Sequence, residues 1–139
     1  MRAAAGTFPQ ECCGLIEGID TAEGWRALAI HEAANVAPDR ARSFLIDPQA
    51  QFELLRSLRG SGRRVIGCFH SHPGGSPRPS ATDRASAAES DFLWLIAGGS
   101  PEAGFTLGAY LFSEDSGFSA LALRNDAPGP VDGLSPASR

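Results

Sequence analysis

The chain has 139 residues and a mass of 14.5 kDa, a size typical of one domain that buries a core without disulfide bonds. Hydrophobic residues make up 42% of the sequence and charged residues 20%, which excludes a wholly disordered chain and a fibrous repeat. The net charge is −4, and the basic residues are scattered arginines. The sequence therefore lacks the clustered basic face that nucleic-acid binding requires.

The N-terminal sequence and the cysteines indicate a cellular compartment. Residues 1–6 contain one arginine and no long apolar stretch, so they do not resemble a signal peptide. No apolar run approaches the roughly 20 residues that span a bilayer. Cys12, Cys13 and Cys68 are an odd number for a disulfide framework. We therefore predict a cytoplasmic protein with reduced, mostly core-forming thiols and no membrane partner.

Apolar runs separated by turn residues predict an α+β fold in one domain, residues 1–125. Strands are predicted at 13–17, 25–31, 43–46, 65–69, 92–97, 105–112 and 118–123. Helices are predicted at 1–6, 48–60 and 82–90. The remaining segment, 126–139, is rich in Pro, Gly and Ser and is predicted to be a flexible tail.

The predicted middle helix has a clear start and an apolar pattern. Asp47 is suited to the N-cap, and Pro48 to the first helical position. Phe52, Leu55 and Leu58 recur every three residues, with Leu54 beside them. This spacing predicts one apolar stripe facing the core.

Two histidines follow the predicted strand 65–69. His70 and His72 point the same way if the strand continues through them, so they could chelate one metal ion. A catalytic zinc site usually has three protein ligands and one open position for water. The loop after Pro73 could return the chain so that Asp83 supplies the third ligand. A His-x-His pair alone also occurs without any metal.

The other candidate residues each have a structural explanation. Ser80 and Asp83 have the spacing of a helix capping box. Glu11, taken alone, is a solvated polar residue where two elements join, and spacing does not place it near a metal. His31 has no partner at ligand spacing and is predicted to be a structural or surface histidine.

Together these residues resemble the JAMM (MPN+, Mov34/JAB) zinc metalloprotease family in its short prokaryotic form. The family pattern is Glu, then His-x-His-Pro, six residues, Ser, two residues and Asp. Here Glu11, the histidine motif, Ser80 and Asp83 match it. Residues 9–15 are similar to the family's Pro-x-Glu-x-Cys-Gly-Leu segment, and residues 35–48 to its middle section.

The resemblance covers about residues 1–123 and implies both a fold and a mechanism. The fold is an MPN/JAB1-like, cytidine-deaminase-like sandwich with a mixed, mostly antiparallel sheet flanked by helices. His70, His72 and Asp83 would bind one Zn²⁺ per chain. Glu11 would act as general base towards the zinc-bound water and pass the proton to the leaving amine. Ser80 would donate a hydrogen bond to the developing oxyanion.

The resemblance also implies a partner. Members of the family cut the amide or isopeptide bond after the C-terminal Gly-Gly of ubiquitin or ubiquitin-like proteins. The sequence has no long insertion around the site, which favours a small ubiquitin-like or sulfur-carrier protein, either deconjugated from lysine or trimmed at its C-terminus. Its tail is expected to enter a groove as an added strand.

Two further expectations follow from the family. Only ten residues precede Glu11, so the first strand of family members is expected to be missing and the first helix to be short. A homodimer is left open. The alternative function is a non-catalytic MPN-type interaction scaffold, because many relatives of this fold lack the zinc ligands.

Overall fold

The computed structural model describes residues 2–124, so the predicted tail at 126–139 lies outside the described residues. In chain order the elements are α1 (Arg2–Thr7), β1 (Cys13–Thr21), β2 (Gly24–Ala33), α2 (Pro48–Leu58), β3 (Arg64–Pro73), α3 (Ala81–Ser86), β4 (Phe92–Ser100), β5 (Gly104–Ser113) and β6 (Gly117–Leu121). Within the described range, no helix combines the length and apolarity needed to cross a membrane.

Among the described residues, six strands form one mixed sheet in the order β2-β1-β3-β4-β5-β6. Strands β3 and β4 are parallel, and all other neighbouring strands are antiparallel. A parallel pair needs a crossover connection, which here includes α3. The predicted α+β architecture with a mostly antiparallel sheet is therefore confirmed, and β3 lies in the middle of the sheet.

The sheet separates two apolar clusters. On β4, Leu93 and Leu95 belong to one cluster and Trp94 to the other, as the two-residue alternation of strand side chains requires. The first cluster includes Ala4 of α1, and the second includes Leu54 of α2. Helices therefore cover both faces, and this packing holds the central strands in place.

The predicted strand at 43–46 is wrong. The segment makes a single bridge, between Asn35 and Ile46. The amide side chain of Asn35 donates to the Ser43 carbonyl and accepts from the Leu45 N–H. A side chain thus satisfies backbone groups that a neighbouring strand would otherwise satisfy.

Helix α2 begins as predicted, with Asp47 as its N-cap, but the predicted apolar stripe is wrong. Phe52 and Leu55 are 56% and 50% exposed, whereas Leu54 is buried. Leu58 packs beside Leu54 in the second cluster. Because residues four apart lie on one helix face, this pair forms the buried stripe, and the other two side chains point towards solvent.

Helix α3 ends at Ser86 and is therefore shorter than the helix predicted at 82–90. Ala87 has an extended backbone, and its N–H bonds to the carbonyl of Asp83. The Ala87 side chain packs against the second cluster. The helix therefore ends here, where an extended backbone lets the Ala87 side chain pack against the core.

Gly67 lies where the backbones of β3 and β4 approach each other closely. A Cβ atom at Gly67 would overlap with the carbonyl oxygen and the Cβ atom of Leu93. The backbone cannot move aside without disturbing the strand pairing. We expect Gly67→Ala to lower the free energy of unfolding by about 1–3 kcal/mol, measured by chemical denaturation.

Gly6→Ala is the matched control. It lies in α1, and nothing lies within 4 Å of its Cβ position. Its stability should be unchanged or raised by up to about 1 kcal/mol, because alanine is the better helix former. Equal losses in the two variants would contradict the packing argument.

Candidate active site

Strand β3 continues through the histidine motif. His70 is fully buried, between Cys13 of β1 and Ile96 of β4. His72 lies two residues further along, and the Nε2 atoms of the two histidines are 3.1 Å apart. Both imidazoles therefore point to the same side of the sheet, as strand alternation predicts.

Asp83 brings a carboxylate to both imidazoles. Its Oδ1 atom lies 3.0 Å from Nε2 of His70, and its Oδ2 atom lies 3.0 Å from Nε2 of His72. The ligand atoms of all three residues lie within 4.8 Å of one another. Asp83 is only 4% exposed, so these residues form a largely closed donor cluster, called the metal-ligand cluster below.

Contacts within the cluster set the charge of its members. Burial opposes ionisation of Asp83, but the hydrogen bonds from His70, His72 and the Ser80 N–H, together with the charge of His70, hold the pKa of this carboxyl well below its usual range. Burial lowers the pKa of His70 despite the neighbouring Asp83. At His72 burial is outweighed, and bonds to Asp83 and to the Ser76 carbonyl raise its pKa. An ionised carboxylate and a neutral imidazole are the metal-binding forms of these side chains.

The donor set fits zinc. Two imidazole nitrogens and one carboxylate oxygen are ligands typical of a hydrolytic zinc site that keeps a further position open. Mg²⁺ and Ca²⁺ instead prefer sites built from oxygen ligands. Beside the cluster, Oε1 of Glu11 is buried and has no hydrogen-bond partner within residues 2–124. An unpaired acceptor is costly to bury, so this oxygen is suited to accept a hydrogen bond from a bound group.

Ser80 and Asp83 form the predicted capping box. The Asp83 N–H donates to Oγ of Ser80 over 3.0 Å, and the Ser80 N–H donates to Oδ2 of Asp83 over 2.9 Å. The structural explanation of these residues is therefore confirmed. Asp83 also contacts the histidines, so the bonds that begin α3 hold its carboxylate against the imidazoles.

Glu11 lies two residues before β1 and is only 5% exposed. Burial raises the pKa of Glu11 to about 7, while the charge of His72 lowers it and that of Asp83 raises it. These charges act on Glu11 because the fold brings it close to the metal-ligand cluster. Sequence spacing alone could not show this proximity.

Asn35, which the sequence analysis did not single out, holds the backbone of Glu11. Its Nδ2 atom donates to the carbonyls of Glu11 and Ser43, both over 3.0 Å. Its Oδ1 atom accepts from the N–H groups of Ala37 and Leu45, over 3.1 and 3.0 Å. One side-chain amide thus connects the backbone of Glu11 to the loop that follows β2. The sequence does not predict this role, because asparagine is common at loop positions.

The same loop also touches the metal-ligand cluster. The Glu11 N–H donates to the Arg40 carbonyl over 2.7 Å. The Phe44 ring stacks on His70, with 4.2 Å between ring centroids and 21° between ring planes. The loop at 35–45 therefore fixes both Glu11 and the buried ligand His70.

Ser71, between the two histidines, is the second residue that sequence reasoning missed. Its Oγ atom accepts from the Cys12 N–H over 2.9 Å, and its own N–H donates to the Cys12 carbonyl over 3.1 Å. These bonds hold the residue next to Glu11 against β3. A buried serine implies a hydrogen-bond partner, but the sequence does not identify that partner.

The cysteines and His31 lie outside the metal-ligand cluster. Cys12, Cys13 and Cys68 are buried and form no disulfide, and burial raises the pKa of Cys13 to about 12. This agrees with unreactive core thiols. His31 is paired with Glu17, with 2.9 Å between Nε2 and Oε2, so it is a satisfied structural histidine as predicted.

Two curated proteins show sequence similarity to the chain. Desampylase of Haloferax volcanii is 36% identical over 93 residues, which cover 67% of this chain and 66% of desampylase. The histone deubiquitinase MYSM1 of Branchiostoma floridae is 34% identical over 65 residues, covering 47% of this chain and 8% of that protein. The chain thus spans slightly less than two thirds of the first relative and a small part of the second.

Two solved structures share the fold. A protein from Desulfitobacterium hafniense has a TM-score of 0.74 and 26% identity, covering 86% of this chain and 81% of its own. A protein from Salinibacter ruber has a TM-score of 0.66 and 31% identity, covering 95% and 88%.

A family model accounts for most of the chain. Residues 1–108 match the family described as prokaryotic homologs of the JAB domain. The match includes the metal-ligand cluster, Glu11 and Ser80, and it leaves out the end of β5 and all of β6. The chain therefore belongs to the family of prokaryotic JAB-domain homologues.

Proposed function

We propose that this chain is a zinc-dependent isopeptidase or peptidase that cuts the amide bond after the C-terminal Gly-Gly of a ubiquitin-like or sulfur-carrier protein. The observation that carries the proposal is the convergence of His70, His72 and Asp83 beside the buried carboxyl of Glu11. Membership of the JAB family and the similarity to desampylase support a hydrolase of this kind. The proposed location is the cytoplasm.

In this proposal, His70, His72 and Asp83 hold one zinc ion. When bound, zinc polarises a carbonyl group and makes a water molecule more acidic. Asp83 supplies negative charge to the site, and its carboxylate is already ionised and oriented by the capping box. Burial lowers the pKa of His70, which favours the neutral imidazole, the form that binds a metal.

Glu11 moves the proton. Its carboxylate takes a proton from the attacking water at Oε1, the oxygen that has no other partner among residues 2–124. Glu11 then gives this proton to the nitrogen of the leaving amine, so that the C–N bond breaks and a neutral amine departs. A pKa near 7 suits a group that must accept and then release a proton near neutral pH.

Ser80 stabilises the negative charge on the carbonyl oxygen. Its Oγ atom uses a lone pair to accept the Asp83 N–H, which leaves its hydroxyl proton to donate to that oxygen. Capping the helix and donating to the oxyanion therefore use different parts of one hydroxyl group.

Zinc binding tests the metal-ligand cluster. We expect one zinc ion per chain by elemental analysis, and His72→Gln should weaken binding by more than about 100-fold, because losing a ligand exceeds the effect of losing an outer partner. His31→Gln is the control, since this histidine bonds Glu17 and lies outside the cluster. Full zinc occupancy in His72→Gln would contradict the assignment.

Cleavage of Gly-Gly-tailed carrier proteins tests the reaction. The panel contains carriers extended by a short peptide and carriers joined to a lysine, with products identified by intact mass. We expect cleavage after Gly-Gly, reduced about 10²- to 10⁴-fold in Glu11→Gln with zinc retained, because the proton acceptor is lost. The preferred member distinguishes trimming from deconjugation. Zinc-loaded protein that cuts no member would favour a non-catalytic scaffold.

A stability measurement without metal checks the environment of Glu11. Burial raises its folded pKa from 4.5 to about 7, so the wild-type protein loses stability as the pH rises through this interval. Metal-free Glu11→Gln should become more stable than wild type above pH 7, by on the order of 1–3 kcal/mol. The two proteins should be similar near pH 4. A constant difference across this pH range would show that Glu11 is not buried as described.

Ser80→Gly separates the two roles of the hydroxyl. Glycine is a tolerated N-cap that costs only a few tenths of a kcal/mol, whereas alanine costs about 1 kcal/mol. We expect Ser80→Gly to retain stability but to lower kcat by about 100-fold, the effect of losing one oxyanion donor. If only Ser80→Ala loses activity, in proportion to its stability, then Ser80 serves only as a cap.

A further inference from the structure

The loop at 74–79, between β3 and α3, lies against strands β4 and β5. The Gly74 N–H donates to the Gly99 carbonyl over 2.8 Å, and the Gly75 N–H donates to the His72 carbonyl over 3.0 Å. The loop therefore turns directly after the second histidine and crosses the sheet on the side of the metal-ligand cluster.

Two glycines of the sheet allow this close approach. A Cβ atom at Gly98 of β4 would overlap with the backbone of Ser76 and Pro77, and a Cβ atom at Gly108 of β5 would overlap with the Pro77 carbonyl oxygen. The loop backbone thus occupies the space that side chains would fill. Its height above the sheet is set by backbone contact, which is rigid compared with side-chain contact.

The height of the loop determines how His72 is held. The Ser76 carbonyl oxygen lies 2.9 Å from Nδ1 of His72. A carbonyl can only accept a hydrogen bond, so Nδ1 carries a proton, and Nε2, which lies 3.0 Å from Oδ2 of Asp83, is the nitrogen that faces the other two ligands. An outer partner of this kind fixes the tautomer and the ring orientation of a metal-binding histidine.

Tyr110 on β5 ties the loop down. Its hydroxyl donates to the Pro77 carbonyl over 2.9 Å, one residue from the carbonyl that holds His72. The ring of Tyr110 packs edge-on against Phe118, with 6.4 Å between centroids. The packing of its ring therefore orients the Tyr110 hydroxyl towards the loop.

We infer that Tyr110 is a positioning residue for the metal site: by holding the Pro77 carbonyl it keeps the Ser76 carbonyl on Nδ1 of His72, and so raises the affinity for the metal. The inference rests on the metal site of the proposed function. The Tyr110 hydroxyl bonds the loop rather than one of the three ligands. Its effect runs from the β5 strand through two consecutive loop residues to His72.

Tyr110→Phe is the direct test, since it removes the hydroxyl and keeps the ring. We expect the zinc dissociation constant, measured by competition with a chelator, to rise about 10-fold, at the lower end of the effect of outer partners. The stoichiometry should stay at one zinc ion per chain. In the zinc-loaded wild type, the Nδ1 proton of His72 should give a slowly exchanging NMR resonance, and this should broaden or disappear in the variant.

Phe112→Leu is the matched control. Phe112 lies two residues from Tyr110 on the same strand and contacts Phe118, with 5.2 Å between centroids. This variant loses packing on that side of β5 but no hydrogen bond to the loop. It should lower the melting temperature of the metal-free protein and leave the zinc dissociation constant unchanged.

Gly108→Ala provides a second perturbation of the same contact. The added methyl group would push on the Pro77 carbonyl and on the ring and hydroxyl of Tyr110, and zinc binding should again weaken about 10-fold or more. If Tyr110→Phe binds zinc as tightly as wild type, the inference is overturned although the metal site stands. A wild-type protein that takes up no zinc would overturn the proposed metal site, and this inference with it.

Discussion

The carboxylate of Asp83 connects the fold to the site. It is buried, it bonds both histidines, and it accepts the N–H of Ser80 in the capping box of α3. A buried carboxylate is stable only when its oxygens are paired, so the helix start and the end of β3 must meet at one point. This constraint sets the position of α3 on the sheet and gives the cluster its negative charge.

Hydrogen bonds to its backbone hold Glu11 in place. The Asn35 amide donates to the Glu11 carbonyl, and the Glu11 N–H donates to the Arg40 carbonyl. The Ser71 hydroxyl accepts from the N–H of the next residue, Cys12. Glu11 precedes β1, so these bonds replace the strand ladder there. The carboxyl remains buried, which raises its pKa.

Local sequence patterns predicted those features of the fold that depend on interactions between residues close together in the chain. The short apolar runs between turn residues located the central strands, Asp47 marked the start of α2, and the capping box marked α3. The predictions were wrong where contacts with residues distant in the chain determine the local structure. The segment 43–46 has strand-like residues, yet Asn35 satisfies its backbone, and the buried side of α2 depends on where the sheet lies rather than on the three-residue repeat of Phe52 and Leu55.

The sequence by itself determined that His70 and His72 share a side of any strand that contains them, and that Ser80 and Asp83 have the spacing of a capping box. It also carried the family motif that links Glu11 to these residues. Only the tertiary structure decided the rest. The contacts of Tyr110 and Asn35 with the site join residues far apart in the chain, and no local pattern specifies a hydrogen bond between segments whose meeting depends on the packing of the whole sheet.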